Sequence, residues 1–280
     1  MQTHFKYLRP DSATEAVGMK DEHKDRAIMW AGGTDMVLRW KRHKVDVDYC
    51  IDLTYLKDLD YIKVAEDGIR IGAMTSLLTL EKSAHQHSLL KVLSDVTKLM
   101  CTPQTRSIAT VGGNLCNASP AADLSAPLVA LNSQVAITRV DGESLVSLDD
   151  FFLGVNHTVA TEGGLVTEVI IPLPAGNRVG ASYRRIDRTV VDIALVNSGV
   201  SVTVDANDEI TATGIAMGAV APVVIRSSAG EQLLVGESIQ SLSARKIEQA
   251  ADRASQDAKP IDDVRASAAY RQAMVKVMAR

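Results

Sequence analysis

Two short segments of this chain are built for close approach. Ala31-Gly32-Gly33-Thr34-Asp35 and Thr110-Val111-Gly112-Gly113-Asn114 each carry a glycine pair followed by a polar residue. Glycine accepts positive φ and leaves no Cβ between backbone N–H groups and a ligand. Successive free N–H groups form a concavity that suits a phosphate, and Thr34, Thr110 and Asn114 add side-chain donors. Two such turns, facing each other, would hold one diphosphate from both sides. Glycine pairs also punctuate ordinary loops, so this pattern defines a candidate anion site and no more. Neither segment fits G-x-G-x-x-G or the phosphate loop ending in G-K-[ST], and the familiar nucleotide folds are not indicated.

The second segment belongs to a longer run, ATVGGNLCNASPAADL (109–124), in which small and polar residues replace core-forming ones. Other candidates carry less chemistry. His85 and His87 read as surface residues rather than a metal pair, and Cys116 reads as a small buried filler. The three cysteines are odd in number and widely spaced, so they give neither a disulfide framework nor a four-thiolate cluster. They fit a reducing compartment. With Lys+Arg 30 against Asp+Glu 34, the chain has no electrostatic footprint for nucleic acid. The first residues, MQTHFKYLRP, show no basic segment followed by an apolar run, so no secretory signal is expected, and no stretch is long and apolar enough to span a bilayer.

The elements that must position these residues follow from local pattern. Ser12 and Glu15 form a capping box that opens a helix near Ala13. Residues 28–31 read as a strand that delivers the chain into the first glycine pair, and 35–42 as a helix leaving it. A strand is expected at 49–53. Ile62, Val64, Ile69 and Ile71 alternate around Asp67-Gly68, which predicts a hairpin over 61–72. Helical spacing covers 75–83 and 89–100. The second glycine pair reads as a turn leading to a helix over 124–131. Strands are expected at 135–140 and 164–172, and PLPAG (172–176) reads as a linker. Beyond it, 198–204 and 210–217 pair around the turn 205–208, and helices cover 242–258 and 264–279. With 280 residues this makes one large or two modest domains. Short strands and helices without strict βαβ alternation indicate an α+β fold.

Four motifs then act together: AGGTD, IGAMTSLLTLE, TVGGNLCNASPAADL and YRRIDRTVVDIALVNSGV, with the tail RASAAYRQAMVKVMAR. In this order, over essentially the whole chain, they resemble the FAD-binding medium subunit of the xanthine dehydrogenase and carbon monoxide dehydrogenase family of molybdenum hydroxylases. GGNLCNASPAADL is the specific part; AGGTD alone would not be. The resemblance implies a two-lobed FAD-binding domain of the vanillyl-alcohol-oxidase (PCMH) type over 1–175 and a smaller α+β domain over 176–280. It implies FAD on this chain, a small partner subunit with two [2Fe–2S] clusters, and a large partner subunit with the molybdopterin cofactor. The assembly would be a cytoplasmic heterotrimer able to dimerise, handing electrons to an external acceptor.

The same resemblance implies the site. Ala31, Gly32, Gly33, Thr34 and Asp35 would meet the FAD diphosphate from one side, and Thr110, Gly112, Gly113 and Asn114 from the other. Asn117, Ser119 and Val166 would line it, and Asp123 would accept from ribose hydroxyls. Thr75, Tyr183 and Arg184 would stand at the isoalloxazine, where a cation stabilises the charge of reduced flavin. No catalytic residue and no metal site are implied for this chain. Cys101 lies near where one branch of the family inserts a cluster-bearing loop; that insertion is absent, so no [4Fe–4S] centre is expected. Two other readings stand beside this one: a stand-alone FAD oxidoreductase with substrate over the flavin, and a non-catalytic scaffold with vestigial glycine turns. The substrate of the complex and the identity of its acceptor are not written in this chain.

Overall fold

The computed structural model describes residues 5–280; the very start of the chain, on which the reading of no secretory signal partly rests, lies outside them. The N-terminal lobe is a parallel three-stranded sheet with Tyr49–Asp52 between Lys6–Leu8 and Ala27–Trp30. Helix Ala13–His23 buries Ala16 and Val17 against Ala27, Ile51 and Leu53 of this lobe. Its start follows the capping pattern with one displacement: Ser12 Oγ accepts from the Glu15 N–H, while the Glu15 carboxylate takes the N–H of Asp11 instead of that of Ser12.

The second unit is a five-stranded antiparallel sheet, with strands in the order Ile62–Val64, Gly68–Gly72, Leu165–Pro172, Gln134–Arg139 and Gly142–Ser147. The hairpin read from the isoleucine alternation is its first edge. Ile69, Ile71, Val135, Ile137, Val169 and Ile171 pack with leucines of helices Leu77–Lys82 and Ser88–Leu99 in the largest core cluster.

The third unit is a four-stranded antiparallel sheet of Arg178–Ile186, Val196–Val204, Ile210–Gly218 and Ile225–Arg226. Helices Ala244–Asp257 and Ala268–Ala279 cover one face through Ala250, Ala251, Ala254 and Val275. Against the other face lies helix Ser125–Ala130, all six residues of which are buried. Gly199 permits this approach, since a Cβ there would lie 2.5 Å from Pro127 Cα, and Ser201 Oγ donates to the Ala130 carbonyl at 2.5 Å. The architecture is α+β, as the element pattern implies.

Two departures from expectation bear on the site. The second glycine pair is not a turn but the body of a helix, Val111–Cys116, capped by Thr110. Strand Arg178–Ile186 was not foreseen. It is a sheet edge in which Val179, Ala181 and Tyr183 alternate with exposed residues, and the glycine, alanine and serine within it keep that period-2 pattern short of bulky β-formers.

Candidate functional site

A cleft of about 350 Å³ opens between the N-terminal lobe and the five-stranded unit, and both glycine segments line it. The first segment enters from strand Ala27–Trp30. Gly33 sits at φ +70, where L side chains are strained, and a Cβ there would lie 2.7 Å from Trp30 Cε2. Gly32 packs directly on the Ile108 carbonyl, with no room for a side chain. The N–H groups of Gly32, Gly33, Thr34 and Asp35 donate to no acceptor among the described residues. This is a row of available donors beside a cleft.

The second segment works differently, and the expectation of two equivalent N–H turns is corrected. Val111 N–H donates to the Thr75 carbonyl at 3.0 Å and Gly112 N–H to the Ala73 carbonyl at 2.8 Å. Gly113 N–H donates to Thr110 Oγ1 at 3.0 Å. These donors serve the fold. A Cβ on Gly112 would lie 2.7 Å from that of Ala73, so this glycine allows helix-to-strand contact. A Cβ on Gly113 would lie 3.9 Å from that of Ala31, which shows how closely the two segments face each other. What this side offers the cleft is a Cβ-free glycine surface and Asn114, whose buried Oδ1 has no partner among the described residues. A buried, unsatisfied amide oxygen calls for a donor that the protein does not supply.

Of the remaining predicted residues, Thr34, Asp35, Thr110, Asn117 and Val166 also line the cleft. Five do not: Thr75, Ser119, Arg184, Tyr183 and Asp123. Thr75 is fully buried and its hydroxyl staples Tyr61, donating to the carbonyl at 2.9 Å and accepting from the N–H at 3.1 Å. Ser119 Oγ accepts from Ala121 N–H at 3.4 Å in a tight turn. Arg184 lies on the outward face of its strand, exposed and without a side-chain partner among the described residues. Its neighbour Arg185, on the face shared with Tyr183, is the buried one: its side chain is 5% exposed.

Tyr183 is the fourth, its hydroxyl bound to Asp123, which is the fifth. Asp123 is buried at the junction of the second and third units, where Tyr183 Oη donates to it and Arg185 Nη1 donates to both carboxylate oxygens at 3.0 Å. Arg185 Nη2 continues to Asp187 at 2.6 Å. Burial pushes the Asp123 carboxyl upward, and the Tyr183 and Arg185 donors pull against that shift. Both oxygens accept from protein groups, so Asp123, which the resemblance implies as a ribose acceptor, is part of an ion pair joining two units.

Sequence reasoning missed the two cations of the cleft, Lys20 and Arg39. Lys20 donates to the carbonyls of Lys24 and Ala27 at 2.7 and 2.8 Å, and burial lowers its pKa. Arg39 stands four residues after Asp35 on helix Met36–Lys41, a spacing that puts both on one side and could have revealed it. Cys116 is exposed and lines the cleft, which corrects the expectation of a buried filler; all three cysteines are free. His87 Nδ1 accepts from Leu89 N–H at 3.2 Å at the start of helix Ser88–Leu99, and His85 Nδ1 lies 3.1 Å from the Lys82 carbonyl.

The free N–H row, the orphan oxygen of Asn114, the Cβ-free surfaces and two cations fit a polar, anionic dinucleotide such as FAD. Comparison with known proteins agrees. Residues 3–174 match the model of the FAD binding domain in molybdopterin dehydrogenase, and residues 181–280 match that of the CO dehydrogenase flavoprotein C-terminal domain. The nicotinate dehydrogenase FAD-subunit of Eubacterium barkeri is 32% identical over 83% of this chain and 80% of its own. The glyceraldehyde dehydrogenase medium chain of Sulfolobus acidocaldarius is 29% identical over 98% and 95%. The solved carbon monoxide dehydrogenase of Hydrogenophaga pseudoflava superimposes with a TM-score of 0.91 at 28% identity, covering 100% of this chain and 96% of that one. The chain belongs to the FAD-binding subunits of the molybdenum hydroxylase family of oxidoreductases, which includes carbon monoxide and xanthine dehydrogenases.

Proposed function

We propose that this chain is the electron-transfer flavoprotein of a three-subunit hydroxylase. It takes electrons from [2Fe–2S] clusters on a small partner and passes them to an external acceptor. A large partner with the molybdopterin cofactor carries out the hydroxylation. The bound flavin supplies the redox chemistry, and the protein supplies binding, orientation and electrostatics. The observation that carries this reading is the cleft itself: unused N–H donors of Gly32 to Asp35 facing the Cβ-free Gly113 surface and the unsatisfied Asn114 amide. Names such as medium chain and FAD-subunit among the relatives support a role within a larger assembly.

In this reading Ala31 to Asp35, Thr110, Gly112 to Asn114, Asn117 and Val166 hold FAD. Residues 1–175 form the cofactor unit and 176–280 the C-terminal unit. The free thiols support a location in the reducing cell interior. Among the described residues no helix is long and apolar enough to cross a membrane.

The test is a division of labour. The isolated chain loaded with FAD is expected to be reduced by a strong chemical reductant, yet to show no turnover of xanthine, nicotinate or an aldehyde. Dye-linked activity returns only when both partner chains are added. Hydroxylation by this polypeptide and FAD alone overturns the proposal.

A further inference from the structure

Arg39 and Asn117 occupy equivalent places on opposite walls of the cleft. Arg39 lies in the last turn of helix Met36–Lys41, four residues beyond Asp35. Asn117 follows helix Val111–Cys116, four residues beyond Gly113. Each thus stands one turn past its glycine segment, and the segments face each other at near contact between Gly113 and Ala31. Arg39 Nη2 spans the gap, donating to Asn117 Oδ1 at 2.7 Å and to Asn156 Oδ1. Asn156 is fixed in turn, since its N–H donates to the Ala118 carbonyl at 3.0 Å. All three side chains line the cleft.

The charge of Arg39 is left over. Its two fixed partners are neutral amide oxygens, and among the described residues it pairs with no carboxylate. A guanidinium has five N–H donors in a planar fork. Only Nη2 has acceptors here, so the Nε and Nη1 donors are unassigned. That pattern, a clamped plane with a free donor edge beside a row of free backbone N–H groups, is what a phosphate requires.

We propose that Arg39 recognises the FAD diphosphate, with Asn117 and Asn156 holding its plane, and that it makes the cleft selective for the dinucleotide over flavins without phosphate. The inference rests on the FAD reading above. Because the clasp joins the N-terminal lobe to the second unit, cofactor departure also requires Arg39 to separate from the asparagines, which slows release.

The experiment uses the full chain stripped of flavin, titrated with FAD and with riboflavin, which carries no phosphate, at low and high salt. Arg39→Met keeps the length and the apolar stem but removes every donor. It is expected to weaken FAD by about ten- to a hundredfold, the range of a charge-assisted hydrogen bond, and to flatten the salt dependence. Riboflavin affinity stays within about twofold, because the lost donors face the phosphates. Arg39→Lys restores part of the FAD affinity and the salt dependence. Asn156→Ala keeps the cation but frees it, so FAD leaves faster while the salt dependence is retained. This second variant decides the matter if Arg39→Met fails to fold. Equal loss of FAD and riboflavin, or unchanged FAD binding and release, overturns the proposal. A wild-type chain that binds no FAD overturns the FAD reading instead.

Discussion

Two adjacent arginines offer a sharp comparison. Arg185→Met removes a guanidinium that is 5% exposed and donates to both oxygens of Asp123 at 3.0 Å. It leaves a carboxylate that is 12% exposed with the Tyr183 hydroxyl as its remaining side-chain donor. Stranding a buried charge this way costs about 3–5 kcal/mol. A separate bound comes from protonation. Neutralising a carboxyl with the ordinary value of 3.8 at about pH 7 costs about 1.36 × 3.2, or roughly 4 kcal/mol, and less when burial has raised its pKa. The expected loss in Arg185→Met is therefore about 3–4 kcal/mol near neutrality. Arg184→Met, on the exposed face, should stay within about 0.5 kcal/mol. The assay is urea unfolding of both variants across pH. In Arg185→Met the folded-state pKa of Asp123, already raised by burial, rises further above its unfolded value. That change favours the folded state at low pH and is lost as pH rises through the folded value. The variant should thus regain stability relative to wild type on acidification. Equal losses for the two arginines, or a penalty in Arg185→Met that does not shrink on acidification, refutes the assignment of the ion pair.

Gly33→Val should purify with little or no flavin, because a β-branched side chain resists φ +70 and collides with Trp30. Gly113→Val should also lose flavin and melt at a modestly lower temperature, because its Cβ would sit 2.8 Å from the Thr110 hydroxyl that caps the helix. The flavin-to-protein absorbance ratio and a melting curve check both, and full flavin content in Gly33→Val sinks the cradle. Arg184→Ala should leave the flavin reduction potential unmoved, since its side chain lies on the exposed strand face; a clear shift in a redox titration would return it to the ring. Asp263 is held at about 2, chiefly by the Arg265 N–H, with Ala266 N–H and Arg271 adding to it. Its depressed pKa gives stability that is present above 3.8 and lost as pH falls toward about 2, so Asp263→Asn should flatten the acid limb of the unfolding midpoint, and parallel limbs would refute this.

The regular elements with strong periodicity were readable from sequence: the isoleucine hairpin, the leucine-rich helix Ser88–Leu99 and the serine cap of helix Ala13–His23 each rest on local chemistry. The glycine run was misread as a turn, because the N–H groups of Val111 and Gly112 find long-range acceptors on Thr75 and Ala73 that no local rule exposes. The near cleft wall was legible in AGGTD, where residue type alone dictates the backbone. Arg184 enters only through the family resemblance; that Arg185 and not Arg184 faces inward depends on strand alternation, which the local sequence around the two arginines does not settle. Arg39 was missed because its partners, Asn117 and Asn156, are far away in sequence.

Helix Ser125–Ala130 has a consequence for how the chain is made. Its six buried residues need strands Val196–Val204 and Ile210–Gly218 as a cover, and these strands are synthesised later. At translation rates of roughly 5–20 residues per second, the interval from that helix to Gly218 is on the order of 5–20 s. During that time the emerging chain carries an apolar helix with one face open to solvent or to a chaperone. Truncating the gene before the third sheet would make that transient state permanent. Removal of the C-terminal strands should therefore yield an aggregation-prone flavin unit rather than a smaller working one.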